Sequence, residues 1–166
     1  GGAPGTTNMS IRPDFIGDAT GGSGTGFITR IPVSNILRPL DPATELFPTI
    51  TGAATIANVG FATAQTVVAN QTVNSLTLRL SGSFGSGLGP AGGLFNVNAN
   101  PLILTASSGG VLALANSSIG TGVTSGSLPT DFHVVSGATL DLNGPITAST
   151  AGIVKADGGT MSLNTS

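Results

Sequence analysis

Asp131, His133 and Asp141 are the residues of this chain best suited to acid–base chemistry, and His133 is its sole histidine. In "DFHVV" Asp131 and His133 are two apart, so on a strand they share a face. A carboxylate beside an imidazole is a general-base pair, and paired carboxyl groups are how most glycosidases break a glycosidic bond. Asp141 lies 10 residues beyond Asp131, too few for one turn of a stacked architecture to bring the two together. The reading is therefore bland. These are polar groups on a solvated face beside Phe132, and no residue is assigned as catalytic, cofactor-binding or metal-ligating. His133→Ala is expected to leave function unchanged.

Other chemical signals are weaker. "GGSGTGF" (21–27) lacks the Lys-Ser/Thr of a phosphate loop and no helical pattern follows, so it reads as a flexible turn. Asp14 and Asp18 do not have calcium-loop spacing. With no cysteine there is neither a disulfide framework nor a Cys-based zinc site. Sequons begin at Asn8, Asn70, Asn116 and Asn164, as chance provides in a chain rich in Ser, Thr and Asn.

The elements that must position these residues are short. No stretch carries apolar residues at i, i+3, i+4 and i+7, and glycine interrupts nearly every window. Alternation recurs instead, in "SLTLRL" (75–80), "PLILTA" (101–106), "VLALAN" (111–116), "ATLDLN" (138–143) and "TMSLNT" (160–165), each flanked by Gly, Asn or Ser as turn-bounded strands are. This predicts Leu76, Leu78, Leu112, Leu114, Leu140, Leu142, Met161 and Leu163 facing inward, with Asp141 outward and solvated. "SGSFGSGLGPAGG" (81–93) reads as a long loop with Phe84 and Leu88 as anchors. Val67 and Val68 read as core, and Arg79 as solvated.

Spacing carries the architecture. Leu76 to Leu102 is 26 residues, Leu112 to Leu140 is 28 and Leu140 to Met161 is 21. These fall within the roughly 20–50-residue range of stacked repeats. The first 48 residues differ, holding seven of the twelve formally charged residues and six of the ten prolines. Proline is confined to strand edges and turns. Residues 1–48 thus read as an irregular N-terminal arm or cap, and 49–166 as repeats.

Charge narrows the function class. Only 7% of residues are charged, and none lies between Leu80 and Thr130. A net charge of −2 without a Lys/Arg cluster excludes nucleic acid as a partner. It equally excludes a polybasic membrane anchor, and no apolar run reaches the roughly 18 residues of a spanning helix. Trp and Tyr are absent, so the aromatic girdles of an outer-membrane barrel are missing and membrane insertion is not expected. Weak self-repulsion favours association between copies. The opening "GGAPGTTNMS" has neither an initiator Met nor a signal-peptide core, which reads as a processed product or part of something longer.

"TVNSLTL" (72–78), "SGGVLALAN" (108–116), "SGATLDLNGPI" (136–146) and "GIVKADGGTMSLNTS" (152–166) together resemble autotransporter-associated β-strand repeats. Gly152, Lys155, Gly158, Gly159, Thr160 and Leu163 match the pattern of those repeats; Met161 stands where Leu is usual and Asp157 where Gly is usual. "DFIGD" (14–18) and "ILRPL" (36–40) resemble the region that precedes them. The resemblance implies an all-β, right-handed parallel β-helix, secreted or displayed on a bacterial surface, with no particular enzyme activity and no cofactor.

The expectation is an extracellular structural protein, not an enzyme: a β-solenoid subunit of a fibre, filament or surface layer, assembled head-to-tail as a homo-oligomer. The arm, at about residues 10–48, is expected to complete the C-terminal rungs of the next copy. The alternatives are a carbohydrate-active β-helix enzyme and a non-assembling adhesin passenger that binds surface glycans.

Overall fold

The computed structural model describes residues 2–19, 24–50, 52–62, 65–67, 71–79, 95–97, 102–104, 109–120, 122–126, 128–147 and 152–164. The chain is all-β, and the described residues contain no helix. No helix is therefore long and apolar enough to cross a membrane.

Three strands, β1 (Ile11–Ala19), β2 (Gly24–Arg30) and β3 (Leu37–Pro39), form an antiparallel sheet in that order. Pro13 and Pro39 sit in the two edge strands, where a missing N–H costs no inner ladder bond. The register of β1 against β2 shifts between Arg12 and Ile16, around Pro13. The expected glycine-rich turn is shorter than read: from Gly24 onward the backbone is already β2, and residues 21–23 lie outside the described residues.

The remaining strands build three parallel sheets. The first contains β4 (Asn58–Phe61), β7 (Ser75–Leu78), β10 (Gly110–Ala113), β13 (Thr130–Val134) and β16 (Ile153–Ala156). The second contains β5 (Gln65–Val67), β8 (Phe95–Val97), β11 (Ser117–Ile119), β14 (Thr139–Leu142) and β17 (Thr160–Leu163). The third contains β6 (Gln71–Val73), β9 (Leu102–Leu104), β12 (Val123–Thr124) and β15 (Ile146–Thr147). The chain visits the sheets in rotation, and each inner strand pairs with the strand three before it and the strand three after it.

Register stacks like residues in columns. Val59, Leu76, Val111 and Phe132 are successive partners across the first sheet, and so are Leu78, Ala113 and Val134. All seven are at most 1% exposed and share one core with Val73, Ile119, Val123, Leu140 and Leu142. Ile50 and Ala57 belong to the same core, and Phe47 bridges Val59, so these three residues cover the first sheet at β4. Between strands the chain turns sharply. Gly137, ahead of β14, has φ 84° and Gly152, ahead of β16, has φ 80°, the left-handed region that a Cβ disfavours.

Leu76, Leu78, Leu140 and Leu142 face inward as expected. Leu112 and Leu114 do not. In β10 Val111 and Ala113 fill the core, while Leu112, fully buried, packs outward with Met9, Ile11, Phe27, Leu40 and Leu46, and half-buried Leu114 joins that cluster. The antiparallel sheet covers the outer face of the first parallel sheet, so both faces of β10 are apolar and alternation alone could not choose between them. Met161 is half-buried against the core, but Leu163 is 53% exposed, because no described strand lies beyond β17.

The arm contacts its own body: Asn58 N donates to Thr7 O at 2.7 Å, and Asn58 Nδ2 donates to Met9 O at 2.8 Å. Phe27 sits so close over β10 that a Cβ on Gly110 would stand 2.7 Å from the Phe27 ring. The loop expected at 81–93, with Phe84 and Leu88, lies outside the described residues, as does Val68.

Candidate functional site

β13 places Asp131 and His133 on its outer face, side by side as its alternation requires. That face is not solvated at His133, which is 3% exposed beneath the arm. Its Nε2 lies 2.7 Å from the Pro13 carbonyl and its Nδ1 2.7 Å from the Asp157 carboxylate. A carbonyl only accepts, so Nε2 carries a hydrogen; a second hydrogen shared between Nδ1 and Asp157 completes the arrangement. The Phe27 ring meets the imidazole edge-on, with centroids 5.9 Å apart.

Asp157 is the partner the sequence reading missed. It turns the chain from β16 to β17 with φ 66°, a conformation Asp tolerates better than most residues with a Cβ. It follows Ala156, the register partner of His133, so the parallel pairing of β13 with β16 is what brings its carboxylate to the imidazole.

Asp131 is half-buried beside this group. Burial pushes its carboxyl above the usual carboxylate range, the nearby imidazole pulls it down and Asp14 pushes it up. Asp14, on the solvent side, is held below its ordinary value, chiefly by the Arg12 guanidinium that binds it at 2.8 and 3.0 Å. Asp141 is not brought here. It lies half-buried on β14 in the second sheet, in register between Ser118 and Ser162. The structure thus joins Asp131 and His133, adds Asp157 and Asp14, and leaves Asp141 apart.

The geometry fastens elements together. Both ring nitrogens of His133 are engaged and the arm covers them, so no bound sugar could reach the base without displacing β1. One imidazole ties β1, β13 and the β16–β17 turn.

A second polar node binds the arm. Glu45 is fully buried and accepts two bonds from Arg38, at 2.6 and 2.5 Å, and one each from the N–H groups of Asp41 and Gly5, both at 2.8 Å. Burial alone would raise its carboxyl, but these donors outweigh it and hold the group below its ordinary value. Nothing local in the sequence marks Glu45, since its partners lie 4, 7 and 40 residues away.

Side-chain amides form a third pattern. Asn164 Nδ2 donates to Asn143 Oδ1 at 2.9 Å, and Asn143 Nδ2 donates to Ser118 Oγ at 2.8 Å. Near the other end, Asn74 Nδ2 donates to Asn58 Oδ1 at 2.7 Å. Among the described residues no cluster of three or more His, Asp or Glu could hold a metal ion. Comparison of the chain with protein-family models, curated proteins and solved structures found no match.

Proposed function

We propose that this chain is a right-handed parallel β-helix acting as an extracellular structural element, one segment of a fibre, filament or surface layer in which solenoid segments meet end to end. The observation that carries the reading is the strict rotation of fourteen strands through three parallel sheets, with one-to-one columns of buried apolar residues. Each turn buries its inner face only against its neighbours, which is the energetics of a stack. Right-handedness follows from the general preference of parallel crossovers. The repeat resemblance supports a place outside a bacterial cell. His133, enclosed by the arm, serves this reading as a fastener and gives the carbohydrate-active alternative no accessible base. Because the arm is engaged on its own body, contacts between segments fall to the ends of the stack.

Electron microscopy and fibre diffraction of the purified chain test this. Elongated particles with a reflection near 4.7–4.8 Å along their axis are expected, since strand spacing then runs along the stack. Compact particles without an axial reflection would sink the reading.

A further inference from the structure

We propose that the seam between the arm and the first parallel sheet is a protonation latch: the arm stays docked while His133 is an imidazolium, and opens as rising pH removes the ring's second proton. The inference goes beyond the structural reading above and is independent of what the stack assembles into.

Both ring nitrogens face acceptors. The Pro13 carbonyl lies 2.7 Å from Nε2 and the Asp157 carboxylate 2.7 Å from Nδ1. A neutral imidazole carries one N–H and one lone pair, so either tautomer sets a lone pair against one of these oxygens. Only the imidazolium donates to both. The ring is 3% exposed, so little water can repair the mismatch while the seam is closed.

The arm is shaped to present that carbonyl. The register of β1 on β2 jumps from Arg12 opposite Ile28 to Ile16 opposite Phe27, so residues 13–15 pass without a partner on β2. A bulge re-aims the groups it carries. Here it turns the Pro13 carbonyl onto β13, away from the arm's own ladder.

Charge reinforces the geometry. Three carboxylates surround the imidazole: Asp157 from the β16–β17 turn, Asp131 from β13 itself and Asp14 from β1. Arg12, paired with Asp14, is the arm's cation here. Phe27 from β2, Leu112 from β10 and Ala156 from β16 face the ring without charge. Lys155 points to the other side of β16, where its Nζ binds the carbonyls of Asp157 and Gly159. The imidazole attracts Asp14 and Asp131, while those two oppose one another. Asp14 belongs to the arm and Asp131 to the body. Removing the ring's charge therefore sets arm and body against each other at the point where the second hydrogen is lost.

The docked arm thus holds a proton that the open arm does not require. Its stabilisation is complete while the histidine is protonated and is lost as pH rises through the ring's titration. Histidine is the side chain that ordinarily changes charge between about pH 5 and 8. Glu45 works in the opposite sense, since its carboxylate accepts from Arg38, Asp41 and Gly5 and fails as pH falls. The arm is held most firmly in the window where Glu45 is ionised and His133 is protonated. Opening it bares Leu112 and the face of β10 under Phe27.

The test follows native-state hydrogen exchange of the full chain between about pH 5 and 8, the histidine range, with the intrinsic exchange rate corrected at each pH. The open population read by the β2 amides is expected to climb with pH, approaching about tenfold per unit, the limit for one linked proton. Amides of β14 should stay better protected than those of β2 throughout, because the arm opens without unfolding the stack. Nitrogen NMR of the ring should show hydrogen on both Nδ1 and Nε2 at the acid end. His133→Gln, which donates but does not titrate, should abolish the climb. A β2 population flat in pH, equal protection of β2 and β14, a climb that survives His133→Gln, or a ring nitrogen already bare at the acid end would each overturn the inference. Should His133→Gln fail to fold, the ring spectrum and the β2 amides of the native chain decide it alone.

Discussion

The first and second parallel sheets are made from similar short strands yet live in different surroundings. The first is covered on both faces, by the core inside and the antiparallel sheet outside. In β7 and β10 every residue is buried. In the second, β11 is buried throughout, but β14 alternates strictly: Leu140 and Leu142 are buried while Thr139 and Asp141 are half-exposed. A strand covered once announces its faces, and a strand covered twice does not. The outer face of the first sheet holds apolar groups and His133 for packing and fastening, and that of the second holds polar groups in register, buried Ser118 and half-buried Asp141 and Ser162.

The largest effect should come from Glu45. Glu45→Ala strands Arg38 and two backbone N–H groups, and breaking a buried pair of this kind costs about 3–5 kcal/mol. Native-state hydrogen exchange should show amides of β10 and β13 losing protection while those of β14 keep theirs; equal loss in both sheets would break the contrast. The same node sets an acid limit. The Glu45 carboxyl is held below its ordinary value, so its contribution is full at neutral pH and is lost as pH falls through the lowered value. Acid should loosen the arm in the native chain, and Glu45→Gln should flatten that part of the stability profile.

Leu112→Ala should cost as much as Leu140→Ala, about 2–5 kcal/mol each by denaturant unfolding, although one faces the arm and the other the core. A Leu112→Ala cost well under half that of Leu140→Ala would mean the arm packs too loosely to count as a second core. His133→Ala should cost about 1–3 kcal/mol, because it leaves the Pro13 carbonyl and Asp157 without their shared partner. Unchanged stability would return His133 to the solvated face first read for it. Asp141→Asn and Leu163→Ala, both at exposed or half-exposed positions of the second sheet, should each stay within about 0.5 kcal/mol.

The strands were legible because period-two alternation is their direct image; of the three spacings read as repeats only Leu140 to Met161 joins register partners, since Leu76 and Leu102 lie in the first and third sheets and Leu112 and Leu140 in the first and second. Leu140, Asp141 and Leu142 fell as read because a single covered face forces one answer. Leu112 did not, since Val111 and Ala113 satisfy the same core with smaller side chains and the larger residue was free to serve the other face. The fastening group was half legible. Asp131 and His133 are neighbours in any strand, but Pro13, 120 residues before His133, comes from an element whose docking no local rule predicts. Glu45 was illegible for the same reason: a lone carboxylate in a Pro-rich arm looks like solvent decoration until its donors converge.

The bond between His133 and Pro13 also orders events in time. Parallel strand partners find each other across 17 residues, from Asn58 to Ser75, up to 35, from Ser75 to Gly110, whereas the arm closes a span of 120. Its seat, with Gly110 open for Phe27 and His133 aimed at a carbonyl, does not exist until β10 and β13 have paired. Long-range contacts are made late when they depend on a surface that must first be assembled. Refolding should therefore be biphasic: a fast pairing of the parallel strands, then a slower closure in which the antiparallel sheet is the last part to arrive.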